Sequence, residues 1–201
     1  QDEPVHTMTA VVGYQLMRLA ASHGIRVVLN GQGADETIGG YSSYFQDYWV
    51  SLIRQGRMGD AWRAINGYSE AHGGSAPQRF AQAAARCVSW EMYKIPAYRD
   101  RAQARRQARL HSNSWFTHEL LSHVTNGESE LPMGTLSHAL KQSVISAPLP
   151  LYLRIEDRNS MAHSVEARLP FLDYRLVSFV CGLPDEWKVR GPWNKYVLRE
   201  G

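Results

Sequence analysis

The run Ile25 to Asn30 stops at Gly31-Gln32-Gly33-Ala34-Asp35-Glu36, and Gly39-Gly40-Tyr41 follow closely. A short β-branched run that halts at glycines predicts a strand turning into a helix, and such a strand suits the buried interior of a parallel sheet. Upstream, Met8, Val12, Leu16 and Leu19 recur at helical spacing. They predict an amphipathic helix over about residues 7–23, with Gly24 as its C′ residue. Helix, strand, glycine turn and helix form an αβα segment of an open α/β sheet. Ligands of such sheets sit beyond the carboxyl ends of the strands, where Gln32 to Glu36 fall.

Two readings of this turn are open. Glycines let a backbone pass close to a ligand, and successive N–H groups can form an anion-binding nest. Asp35 would then hold a divalent cation beside a phosphate, since hard cations prefer oxygen. Glu36 fits a second ligand, an orienting group or a helix-start carboxylate favoured by the local dipole. The plainer reading is a strand–turn–helix corner with solvated acids.

The 201 residues, 44% hydrophobic and 20% charged, suit a soluble globular domain. A net charge of +3 gives no argument for nucleic acid or membrane as a partner. No apolar stretch approaches the roughly 18–20 residues of a membrane span, and the opening Gln1-Asp2-Glu3-Pro4 is not a signal peptide. Cys87 and Cys181 stand apart, without zinc-like spacing, as expected of reduced thiols in a cytosolic protein.

The middle of the chain reads as helical, over 44–54, 60–72, 77–93 and about 135–146. Loops are expected at 73–75 and at Asn126 to Ser129, and Pro148 and Pro150 should break the last helix. Trp62, Trp90, Tyr93 and Trp115 are expected to fill core. Arg101, Arg105 and Arg109 share a helix face that is either solvated or a dock for an acidic partner. Only one strand emerges, too few for a sheet, so the chain reads as part of a larger protein.

The end of the chain runs Glu156-Asp157-Arg158-Asn159-Ser160-Met161-Ala162-His163-Ser164-Val165-Glu166-Ala167-Arg168-Leu169-Pro170-Phe171-Leu172-Asp173. It closes with Arg190-Gly191-Pro192-Trp193-Asn194-Lys195-Tyr196. From the residues alone, Asp157, Arg158, Glu166, Arg168 and Asp173 are candidates for buried ion pairs, and His163 for a local hydrogen bond. With the glycine turn, these blocks resemble the synthetase domain of glutamine-dependent asparagine synthetases, and Glu3-Pro4 resembles a dipeptide carried ahead of the same helix. The resemblance covers about residues 1–48 and 148–200.

It implies an α/β domain of the adenine-nucleotide-hydrolase-like type, a parallel sheet with helices. This chain would be a predominantly α-helical part of it: an αβα segment with a phosphate loop (1–48), a helical region (49–147) and a second motif block (148–201). The implied reaction is adenylation of the aspartate side-chain carboxylate by ATP, then amidation by ammonia from a glutaminase domain. Asn30, Gly31 and Gly33 would cradle ATP and Asp35 would bind Mg²⁺. Lys195 would steady the leaving pyrophosphate, and Glu36 and Arg158 would contact substrate. Gln32 departs from the glutamate of many family members. Its amide cannot act as a general base at neutral pH, which keeps open another small carboxylate as acceptor. An amidotransferase or cyclase of the same superfamily, or a non-catalytic helical interaction module, are the alternatives. The family's Ser-Gly-Gly-x-Asp-Ser type loop and its glutaminase domain do not occur in these residues, so this stretch alone is expected to be inactive. The oligomeric state stays open, a homodimer included.

Overall fold

The computed structural model describes residues 7–111 and 134–200, apart from the side chains at 106, 107 and 109–111. Glu3-Pro4, Trp115, the Asn126–Ser129 loop and the Arg109 side chain lie outside the described residues. In chain order the elements are α1 (Met8–Ser22), β1 (Val27–Leu29), α2 (Ala34–Ile38), α3 (Ser43–Arg54), α4 (Met58–His72), α5 (Ala76–Tyr93) and α6 (Pro96–His111). Then come α7 (Leu136–Ile145), α8 (Leu149–Met161), β2 (Glu166–Arg168), a 3-10 turn (Pro170–Leu172) and α9 (Tyr174–Gly182). The chain closes with α10 (Asp185–Lys188), β3 (Val189–Arg190), β4 (Trp193–Asn194) and α11 (Tyr196–Glu200). The result is mostly helical, with a small parallel sheet, as an α/β domain allows.

The local signals act as their chemistry requires. Gly24, at φ 74°, ends α1 and donates its N–H to the Ala21 carbonyl at 3.0 Å. Pro148 follows the end of α7, and Pro150 sits in the first turn of α8, where its missing N–H costs nothing.

The chain divides into two units, Gln1–Phe45 with Leu136–Gly201, and Gln46–Thr135. In the first, β1 pairs in parallel with β2, Val27 opposite Glu166 and Leu29 opposite Arg168. Bonds from Glu166 N–H to the Arg26 carbonyl (2.8 Å) and from Asn30 N–H to the Arg168 carbonyl (2.9 Å) flank the pairing. β3 and β4 form a separate two-residue antiparallel pair. The core of this unit gathers Ile38 of α2, Leu136, Ala139 and Leu140 of α7, Val165, Val180 and Val189, all buried.

Several expectations need correction here. The described residues contain four strands, not one, because β2 is Glu-Ala-Arg, with no apolar pattern to announce it. β1 is parallel but not buried: Val27 is 42% and Leu29 76% exposed, since β2 is its only neighbour strand among the described residues. Glu166 pairs with Arg168 at 2.7 Å and Asp173 with Arg175 at 2.8 Å, both on the surface rather than in a buried network. His163 lies edge-on to Tyr14, with ring centroids 4.5 Å apart, and its Nε2 is buried without a hydrogen-bond partner among the described residues. The reason is packing: α1 sits on α8 through small residues. Asn159 donates to the Ala10 carbonyl at 2.9 Å, and a Cβ on Gly13 would stand 3.0 Å from the Asn159 amide. Met8, Val12, Leu16 and Leu19 are left exposed.

In the second unit α4 packs on α5, and α5 on α6. Ser75 caps α5. Arg79 ties the turn by donating to Ser69 Oγ (2.8 Å) and the Gly73 carbonyl (2.6 Å). Trp90 and Tyr93 are half-buried, but Trp62 is 43% exposed, edge-on to Phe80, and so is a poor core residue. Arg101 and Arg105 are exposed on α6.

Candidate active site

The turn from β1 into α2 is held by its own asparagine. Asn30 Nδ2 donates to Glu156 Oε1 of α8 at 2.6 Å, while its Oδ1 accepts the Gln32 N–H at 3.2 Å. One side chain thus bends the turn locally and anchors it to a helix far along the chain. Asn30 therefore shapes the loop, and the exposed backbone of Gly31 is its most open point, with nothing within 4 Å of where a Cβ would stand. Gly33 is glycine for two reasons: its φ is 91°, and a Cβ would fall 2.2 Å from Leu172. Gln32 is half-buried and helps line a cavity of about 80 Å³ with Thr7, Gly13, Tyr152, Glu156 and Asn159.

The two acids of α2 part company. Asp35 meets Lys195, with Nζ 2.8 Å from Oδ1. Glu36 is 1% exposed, and the Tyr41 hydroxyl donates to its Oε1 at 2.5 Å. Burial, and then that bond to a carboxylate, push the Tyr41 phenol well above its ordinary range, so it stays a donor.

Lys195 reaches Asp35 from a strained position. Its φ is 49°, a left-handed conformation costing a non-glycine residue roughly 1–2 kcal/mol. The neighbours hold it: Asn194 Nδ2 donates to the Gly40 carbonyl, and Arg199 Nε donates to the Asn194 carbonyl at 2.9 Å. Gly40 is the close-approach residue. A Cβ there would lie 1.7 Å from Asp35 Oδ1 and 2.3 Å from Lys195 Cε. Its own N–H donates to the Asp35 carbonyl at 2.9 Å.

The fold therefore brings Asp35, Lys195, Gly40 and Asn194 together at the carboxyl end of β1, with Asn30, Gly31, Gln32 and Gly33 forming the turn. Glu36 is turned to Tyr41. Arg158 is half-buried near the end of α8, two residues past Glu156. Glu156, Asn194, Gly40 and Tyr41 escaped sequence reasoning as site residues. The repeated glycine at 39–40 was the one available signal.

Mg²⁺ is commonly bound through one or two carboxylates plus phosphate oxygens and water. Among the described residues no group of three His, Cys, Asp or Glu converges on a metal position. Lys195 engages Asp35 Oδ1, and the Asp35 side chain stays 40% exposed. A carboxylate open to solvent fits a shared ion that would take its remaining ligands from a nucleotide and water.

The family model "Asparagine synthase" matches residues 1–201. Asparagine synthetase [glutamine-hydrolyzing] 2 of Bacillus subtilis is 51% identical over 45 residues, 22% of this chain and 6% of that protein. Proteins named putative asparagine synthetase [glutamine-hydrolyzing] from Mycobacterium bovis and Mycobacterium tuberculosis are 28% identical over 98% of this chain. The chain spans about 30% of their length. No solved structure matches. No helix among the described residues is long and apolar enough to cross a membrane. A match along the whole chain, together with the turn it encloses, makes this chain a member of the asparagine synthase family.

Proposed function

We propose that the full-length protein forms an amide from a carboxylic acid at the expense of ATP, with aspartate as acceptor and asparagine, AMP and pyrophosphate as products. The observation that carries this reading is the Asp35–Lys195 pair, 2.8 Å apart and packed on Gly40 at the end of β1. In the first step a carboxylate oxygen attacks the α-phosphorus of ATP, and the bond to the bridging oxygen breaks to release pyrophosphate. In the second, ammonia attacks the acyl carbon, the acyl–oxygen bond to AMP breaks, and the nitrogen loses a proton.

Lys195 is a compact cation suited to the charge growing on the leaving pyrophosphate. Asp35 keeps that ammonium in place and offers its second oxygen to Mg²⁺, which would neutralise phosphate charge. Gly31 and Gly33 allow backbone N–H groups to come near the nucleotide. Arg158 is the candidate for a substrate carboxylate, since a guanidinium can grip one with two bonds. Glu36 supports the turn through Tyr41.

Gln32 carries the second reading. Its amide hydrogen-bonds but takes no proton at neutral pH, so the proton leaving the attacking nitrogen needs another acceptor, and a different carboxylate is a live alternative to aspartate. The ammonia would come from glutamine in a glutaminase domain of the same protein. ATP–pyrophosphate exchange by the full-length protein, with aspartate set against other carboxylates, tests all of this. Exchange that requires aspartate and vanishes in Asp35→Ala is expected. Exchange only with another acid would move the acceptor, and no exchange with any acid would sink the proposal.

A further inference from the structure

A second cavity, of about 350 Å³, opens between α2, α7, α9 and α10. That volume lies in the range of small-molecule sites, roughly 300–1,000 Å³. Its wall is mainly aliphatic, from Leu140, Val144 and Ile145 of α7. Two charged side chains form part of it that are otherwise shut away from solvent: Lys188, 2% exposed, and Glu36, 1% exposed.

The two are not alike. Glu36 has its hydrogen bond from Tyr41. Lys188 makes no ion pair or side-chain hydrogen bond among the described residues. The nearest acid in sequence, Asp185, accepts a bond from Ser137 Oγ at 3.2 Å and acts on Lys188 through its charge. Burial lowers the Lys188 pKa, while Asp185 and the Cys181 thiol oppose the shift. A wall of apolar carbon around a lysine that no carboxylate hydrogen-bonds is complementary to a ligand with an apolar body and one negative group.

We propose that this cavity binds a small carboxylic acid with a branched aliphatic body, its carboxylate on Lys188 and its hydrocarbon against Leu140, Val144 and Ile145. Glu36 excludes dianions, because a second carboxylate beside it would meet a like charge. Aspartate is therefore a poor occupant. Binding here stands apart from the adenylation chemistry, since Asp35, Lys195 and Gly40 do not line the cavity.

Isothermal titration calorimetry on the full-length protein tests it, with 4-methylpentanoate as the probe and 4-methylpentan-1-ol as its uncharged match. The acid should bind at least about tenfold more tightly than the alcohol. Lys188→Met should erase that preference, whereas Lys141→Met, at the exposed rim, should preserve it. Val144→Trp fills the hydrocarbon end and should abolish binding of both. Equal affinity for acid and alcohol, no binding of the acid in the millimolar range, or a preference that survives Lys188→Met would each overturn the proposal. The comparison of acid with alcohol needs no variant, so it holds even if Lys188→Met fails to fold.

Discussion

The acids of the glycine turn and those of the β2 block are handled in opposite ways. Asp35 finds Lys195 from the far end of the chain, and Asn30 reaches Glu156, 126 positions away. Glu166 and Asp173 each pair with an arginine only two residues on, at the surface. Local pairs of that kind form wherever the backbone sets two side chains side by side, and solvent screening leaves them little weight in stability. A pair assembled from both ends, in space that a single methyl group would fill, has to be built by the fold. Long-range polar contacts packed on glycine mark the candidate site here, whereas density of charge in the sequence does not.

The sharpest way to break this contrast is Gly40→Ala. The added methyl would overlap Asp35 Oδ1 and Lys195 Cε, at 1.7 and 2.3 Å. Displacing reacting groups by about an ångström costs on the order of a hundredfold in rate. ATP–pyrophosphate exchange by the full-length protein should fall by about that factor while its circular dichroism spectrum is kept. Activity within about threefold of the parent would remove Gly40 from the account.

Next in size is a buried acid in the second unit. Asp47 is 2% exposed, and burial pushes its carboxyl from 3.8 up to about 6. Arg86 comes to 3.1 Å from Oδ1, which pulls the other way, but not at a hydrogen-bonding angle. The folded state therefore holds this proton more tightly than the unfolded chain does. Stability from Asp47 is greatest below pH 4 and is lost as pH rises toward 6, by up to about 3 kcal/mol. Urea titrations between pH 4 and 7 should show that slope, and Asp47→Asn should flatten it. A slope of the opposite sign would contradict the burial argument.

Tyr41→Phe comes third. It leaves the Glu36 carboxylate buried without its donor, at a cost of roughly 1–3 kcal/mol, read as a lowered denaturation midpoint. Glu36→Gln should lose less, because its amide oxygen can still accept from Tyr41. The smallest effect sharpens the contrast from the other side. Arg168→Ala should leave the denaturation midpoint essentially unchanged, and a clear loss would mean the β2 pair is not the surface feature described.

Much of the turn was legible beforehand. Helix α1, its Gly24 stop, strand β1 and the glycines before α2 all follow from short-range chemistry, and the resemblance pointed to Lys195 from the far end. Strand β2 was not legible, because its pairing with β1 is decided by register across the chain rather than by its own residues. The exposure of Val27, Leu29, Met8 and Leu16 was illegible for a related reason: apolar patterning says which face seeks cover, not what covers it. Gly40 shows a third limit. Its sequence neighbours say it is one of a glycine pair. Only the arrival of Lys195, held by Asn194 and Arg199, shows why a side chain is excluded there.

The most direct test of the central claim is a double-mutant cycle on Asp35 and Lys195, read as ATP–pyrophosphate exchange by the full-length protein. If the two act as one unit, Asp35→Asn and Lys195→Met should each cost nearly as much as both together. Additive losses, or a single variant close to the parent, would contradict it.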